Sequence, residues 1–280
     1  MVLSSRLILI VVACITLSAC TAKLVYRNLD WIVVDYVEEY VSLNSEQEAL
    51  LDEQLKGFAS WHKRSELPKY QQQLQTLFDA DLSSIDSSFI SQQQQLFRIH
   101  IKALAKHLTP DLYLLSRSLT DEQRSEFIEN LEAQHQQYME KYSSMNESDI
   151  RDLYKQRIDK NLRRWLGDIS TEQHQIAQRW ADNIEITHHD WASYRLATRD
   201  RIKTLFARKD DPFFYQQQFT KLLNDPEKDY SDQLLGKLER NRETANQNIL
   251  AILSTVSQTQ EAHFKQEIGD WLELVQDLQK

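Results

Sequence analysis

Glycine and proline are scarce in this chain, with four of each among 280 residues. So few breakers leave long uninterrupted segments, and the abundant Gln, Glu, Leu, Lys and Arg are all good helix formers. There is no Asn-Gly or Asp-Gly hairpin signal and no sustained apolar–polar alternation. The fold class expected is therefore all-α, an irregular array of about eight to ten helices with no β-sheet. Cysteine is nearly absent. Cys14 and Cys20 are the only two, so nothing beyond residue 20 can form a disulfide, a thiolate metal site or a thiol nucleophile. Positive charge is in deficit, with 33 Lys and Arg against 42 Asp and Glu and a net charge of −9. Nucleic-acid binding needs basic surface to neutralise phosphates, so no nucleic-acid partner is expected. Neither a Gly-rich phosphate loop, a Gly-x-Ser-x-Gly elbow nor a His-Glu-x-x-His pair occurs. No catalytic residue, cofactor-binding residue, metal ligand or cofactor is assigned, and a non-enzymic role is expected.

Long hydrophobic runs are also missing, and the one short run is informative. Arg6 precedes an eleven-residue apolar stretch, Leu7 to Leu17, well short of the ~20 residues a membrane-spanning helix needs. A charged start, a short apolar core and small residues before a cut site describe a secretory signal peptide over residues 1–19. Leu17-Ser18-Ala19-Cys20 resembles the bacterial lipobox, whose cysteine is acylated and becomes the first residue of the mature protein. Lipidation is thus expected at Cys20, and residues 20–23 form a short lipidated tether. A single all-helical domain is expected over residues 24–280. Thr21 stands where Asp resembles the signal for retention in the inner membrane, so sorting to the outer membrane, facing the periplasm, is expected. The membrane itself, reached through the lipid on Cys20, is the first partner.

Helical periodicity begins close behind the tether, over Leu24 to Val41. Val25, Leu29, Ile32, Val33, Tyr36 and Tyr40 share one face, suited to core packing. Leu24, Trp31 and Val34 project instead among polar residues, where they either meet the membrane or lie beneath a second helix. Pro68 suits the first turn of a helix running towards Asp81. Pro110 either kinks the stretch from Phe89 to Leu115 or starts a new helix. Further segments run over Leu119–Tyr142 and Ile150–Leu166, with Gly167 a credible stop. The longest helix is expected from Thr171 to about Lys209, followed by Phe213–Leu223, Tyr230–Leu253 and Gln258–Leu278.

One short pattern recurs. Leu43-Asn44-Ser45-Glu46-Gln47, Leu119-Thr120-Asp121-Glu122-Gln123, Ile169-Ser170-Thr171-Glu172-Gln173 and Val256-Ser257-Gln258-Thr259-Gln260 share a form. A Ser, Thr or Asn side chain caps free backbone N–H groups, and a Gln three residues on reaches back, which makes a capping box. The uneven spacing defines no regular solenoid. The Leu-Thr-x-x-Gln form also looks like the motif of small periplasmic stress chaperones, although capping alone accounts for the same residues.

Other candidates read more plainly as structure. His188-His189-Asp190 are consecutive and fan out around a helix, while His100 and His107 lack an acidic companion at zinc-like spacing. Trp180 and Trp191, eleven apart on the expected long helix, share a face and read as core. Arg195, Arg199, Arg201, Lys203, Arg208 and Lys209 form the one strongly basic stretch. It reads as a solvated face balanced by acidic neighbours, or as a contact for an anionic lipid headgroup or cell-wall polymer.

Several segments together carry a resemblance. They are Cys20 with Leu24-Val25-Tyr26-Arg27-Asn28-Leu29-Asp30-Trp31, then Trp61-His62-Lys63-Arg64 with Glu66-Leu67-Pro68 and Tyr70. Arg164-Trp165-Leu166-Gly167, Ser170 and Arg179-Trp180 complete the set. These resemble an uncharacterised family of proteobacterial outer-membrane lipoproteins, a domain of unknown function. The resemblance implies a lipid-anchored, all-α, periplasm-facing protein and supplies no catalytic residues. The role expected is binding or structural, with envelope proteins or cell-wall polymer as further partners. The rival expectations are an anchored periplasmic chaperone, or a cell-wall hydrolase working through carboxylates.

Overall fold

All four recurring stretches open a helix, and in each the side chains close the box the sequence implies. The computed structural model describes residue 26 and residues 28–280. Asn44 accepts from the Gln47 N–H at 3.0 Å while the Gln47 amide oxygen accepts from the Asn44 N–H at 3.0 Å. Thr120 with Gln123, Ser170 with Gln173 and Ser257 with Gln260 repeat the exchange. These boxes begin α2 (Ser45–Ser65), α5 (Asp121–Ser143), α7 (Thr171–Asn183) and α11 (Gln258–Gln279). A fifth box, Asn146 with Asp149, begins α6 (Glu147–Leu166).

The remaining helices are α1 (Leu29–Glu38), α3 (Leu67–Asp79), α4 (Ser87–Ser118), α8 (His188–Ala207), α9 (Pro212–Asn224) and α10 (Asp232–Leu253). Two 3₁₀ turns, Leu82–Ser84 and Pro226–Asp229, complete the described residues, which contain no strand. The class is all-α. Among the described residues eleven α-helices stand where eight to ten were expected, because the region read as one helix from Thr171 to Lys209 is two. The longest is instead α4, 32 residues long and continuous through Pro110. Its Thr109 hydroxyl donates to the carbonyl of Ala105 at 2.7 Å, one position before the proline that lacks an N–H.

The break at residues 184–187 has a tertiary cause. Asn241 on α10 accepts the Glu185 N–H at 2.7 Å and donates to the Glu185 carbonyl at 2.9 Å, as a neighbouring backbone would. Lys237 donates to the Ile186 carbonyl at 3.0 Å. Arg151 on α6 donates to the carbonyls of Ala181, Asp182 and Ile184, satisfying the free end of α7. Leaving the helix costs less where released backbone groups find such partners.

Contacts divide the chain into two compact units. The first comprises the described residues up to Arg64, with Ile99–Ser143 and His189–Ser231, and the second Ser65–Arg98, Ser144–His188 and Asp232–Lys280. In the first, Val33, Val37 and Val41 pack with Leu51, Leu55, Leu115 and Leu119, and Tyr36 and Tyr40 pack with Leu131. In the second, α11 lies along α3 and α6, and α7 lies against α6 and α10. Its cores form around Ile158, Ala177 and Ala181, and around Leu166, Ile176 and Ile252.

The same polar device sits inside each unit. In the first, the Gln47 amide donates to Gln123 Oε1 at 2.9 Å, and the Gln123 amide donates back to Gln47 Oε1 at 2.7 Å. Each amide also donates to a carbonyl just ahead of the other box, Gln47 to Ser118 and Gln123 to Ser42. Two helix junctions that are 76 residues apart in sequence are thereby tied at their caps.

Candidate functional site

The signal peptide, the tether and Cys20 lie outside the described residues, as do Leu24, Val25 and Arg27. The face of α1 expected to pack inward does so at Val33 and Tyr36, and at Tyr40 just beyond the helix, all buried. Of the two alternatives for Val34, cover by neighbouring helices is the one observed. Val34 packs partly buried against the Val33 cluster and not outward. Trp31 remains 66% exposed, so among the described residues no helix covers it. Whether the helix begins at Leu24 falls outside the described residues; α1 is described from Leu29.

Trp180 and Trp191 do not share a face, because the break at 184–187 puts them on α7 and α8. Trp180 packs beside Ala177 and Ile184, and Trp191 stands edge-on to Tyr194 and Tyr230. His100 is buried on α4, and His107 stacks flat on Trp61 with centroids 3.8 Å apart. Among the described residues no group of three His, Cys, Asp or Glu side chains is placed to hold a metal ion. The corner from Trp61 to Tyr70 is a helix end followed by α3 with Pro68 in its first turn. Gly167 ends α6 at φ 73°, a backbone region open chiefly to glycine.

Most of the basic stretch is spent on local partners. Arg199 pairs with Glu132 and Asp200, both at 3.1 Å. Arg208 meets Asp211 at 2.7 Å, and Lys209 meets Asp121. Arg195 lies over the Tyr138 ring at 4.2 Å. Arg201 differs. Its Nε is 3.8 Å from Asp229, whose other oxygen takes Lys221 Nζ at 2.7 Å. These three side chains line a mixed pocket of about 390 Å³ beside α8 and α9, together with Asp200, Thr204 and Gln218 and the apolar side chains of Ala197, Phe214 and Leu222.

A second cavity, about 110 Å³, lies in the same unit against Val37, Leu115, Ile202, Leu205 and Phe219. Deep burial marks the aromatic side chains nearby: desolvation raises the phenols of Tyr194, Tyr215 and Tyr230 above their ordinary value. Sequence reasoning singled out Arg201 only as one of a basic run and missed both cavities. The walls of the apolar cavity come from helices far apart in sequence, α1, α4, α5, α8 and α9, and α8 has no clear amphipathic pattern to announce either cavity.

A family of unknown function, DUF6279, has a sequence model that matches residues 39–235. Neither a curated protein nor a solved structure matches.

Proposed function

We propose, for a chain that belongs to the DUF6279 family of unknown function, a lipid-anchored, periplasm-facing binding protein of the proteobacterial outer membrane. Leu17-Ser18-Ala19-Cys20 behind its short apolar run is the observation that carries this reading. Support comes from the fold. No helix among the described residues is long and apolar enough to cross a membrane, so attachment would rest on the lipid. Trp31 is 66% exposed and only eleven residues from Cys20, within about 40 Å of the anchor even at full extension. The binding role, in place of a catalytic one, rests on the two cavities of the first unit. Fractionation of Cys20→Ser tests the anchor: the substituted protein should leave the outer-membrane fraction, because stable anchoring needs more than one acyl chain. An unmodified Cys20 in the mature native protein, seen by mass spectrometry, would refute it.

A further inference from the structure

Leu222 lines both cavities of the first unit. Successive residues of α8 face opposite ways here. Arg201 and Thr204 face the mixed pocket, while Ile202 and Leu205 face the apolar cavity. The apolar cavity has a single hydroxyl in its wall, that of Ser116, which donates to the Tyr113 carbonyl at 2.8 Å. A buried water needs two to four polar partners, so this space suits hydrocarbon. Its 110 Å³ is somewhat smaller than an engineered cavity that takes benzene, and it fits the last few carbons of a chain, not a whole one.

Beyond Leu222 the wall keeps apolar side chains, Ala197 and Phe214, and adds charged ones. Arg201 and Lys221 share the one carboxylate of Asp229, and Asp200, the other acid in the wall, is held by Arg199 at 3.1 Å. Guanidinium and ammonium groups carry five and three donors, so a shared carboxylate leaves capacity for a second anion.

We infer that this unit binds a single-chain amphiphile with an anionic head, the head at Arg201 and Lys221 and the chain end passing Leu222 into the apolar cavity. The inference names the ligand class of the binding role proposed above, and does not depend on the lipid anchor. Two sources share the chemistry: a fatty acid, through its carboxylate, and a lysophospholipid, through its phosphate.

The test uses the full chain in isolated membranes with three photoreactive probes carrying a diazirine near the chain end: a fatty acid, a lysophospholipid and an uncharged long-chain alcohol. One or both charged probes should label peptides from Leu112 to Leu119 and from Ile202 to Phe206, and which of them does so identifies the source. Ser116→Phe fills the cavity and should lower that label about tenfold. Lys221→Gln, half-buried at the rim, should lower it by a similar factor, the worth of one charge-assisted contact. If Ser116→Phe fails to fold, Lys221→Gln at unchanged melting temperature decides the matter. Equal labelling by the alcohol, label scattered away from these helices, or label unchanged in Lys221→Gln would each overturn the inference. Cys20→Ser should label like the native chain, so failure of the anchor and failure of the site are read separately.

Discussion

Gln173 and Gln260 bind each other as a closed amide pair, Gln173 Nε2 to Gln260 Oε1 at 3.0 Å and Gln260 Nε2 to Gln173 Oε1 at 2.8 Å. Gln260 also donates to the Asp168 carbonyl at 2.7 Å and Gln173 to the Thr255 hydroxyl at 3.2 Å, while each oxygen still accepts its own cap N–H. Both side chains are buried. Gln173→Leu leaves the Gln260 amide without its main partner and should cost about 2–3 kcal/mol in denaturant unfolding. The double variant with Gln260→Leu should cost less than the sum of the two single changes. Gln173→Glu sets two acceptors face to face. Its carboxyl is then held above its ordinary value, so the loss should be large at pH 7 and ease as acid protonates the group.

The caps themselves are simpler. Thr120→Ala and Ser170→Ala each remove one oxygen that accepts a first-turn N–H, at 3.2 Å in both cases. Each should lower stability by about 1 kcal/mol without abolishing function in cells lacking the native gene. Loss of function at unchanged melting would instead favour the chaperone-motif reading of the Leu-Thr-x-x-Gln form.

These two cases mark what was legible in the sequence and what was not. A cap and its Gln are three residues apart, so the box is written locally and all four starts were readable. The pairing of boxes joins residues 76 and 87 apart, and no local pattern announces that. A clue existed in the choice of Gln at all four positions. Glu serves a capping box as well but, as an acceptor only, could not donate across to a second one. Trp31 was placed correctly by helical projection, whereas Val34, at the margin of the apolar face, turned on tertiary contacts no projection contains. The break after α7 was missed for a similar reason. Ile184, Ile186 and Thr187 are only mildly unfavourable in a helix, and the decision is made by Arg151 and Asn241.

That decision can be reversed by substitution. Asn241→Leu removes the acceptor for the Glu185 N–H and the donor for its carbonyl together. The cost should be about 2–3 kcal/mol, the range for leaving partly buried backbone groups unmet. Limited proteolysis should show new cleavage at residues 184–187, because local opening exposes a segment whose pairing was tertiary. Unchanged cleavage would mean that Arg151 and Lys237 suffice to hold it.

His135 gives the first unit a pH response with a definite sign. Burial, then the positive charges of Arg195 and Arg199, hold its imidazole below the usual histidine value, with Glu132 opposing. The folded protein therefore resists a proton that the unfolded chain accepts near pH 6.5. The associated stability is fully present above about pH 6.5 and is lost as pH falls through the lower folded value. Urea unfolding of the native chain and His135→Gln at pH 7.5 and 5.0 measures it. The variant should lose less stability than the native chain over that interval, and parallel losses would remove His135 as the cause.

Trp31 is where the first helix meets its surroundings. Val33, Val37 and Val41 hold α1 to the core, so the helix is fixed by the face that excludes Trp31. An indole 66% exposed contributes little to folding, and Trp31→Ala should leave the melting temperature within about 1–2 °C of the native value. The ring prefers the headgroup region of a bilayer, with its apolar body buried and its N–H wet. Because α1 follows the proposed lipid site at Cys20 so closely, the same substitution should weaken association of Cys20→Ser protein with liposomes. That variant removes the proposed acyl anchor, so Trp31 should contribute a larger share of the remaining attraction. Liposome flotation and thermal melting on the same samples separate the cases. Weakened flotation at constant melting supports contact with the membrane, while a large fall in melting would place Trp31 in the core and end the idea.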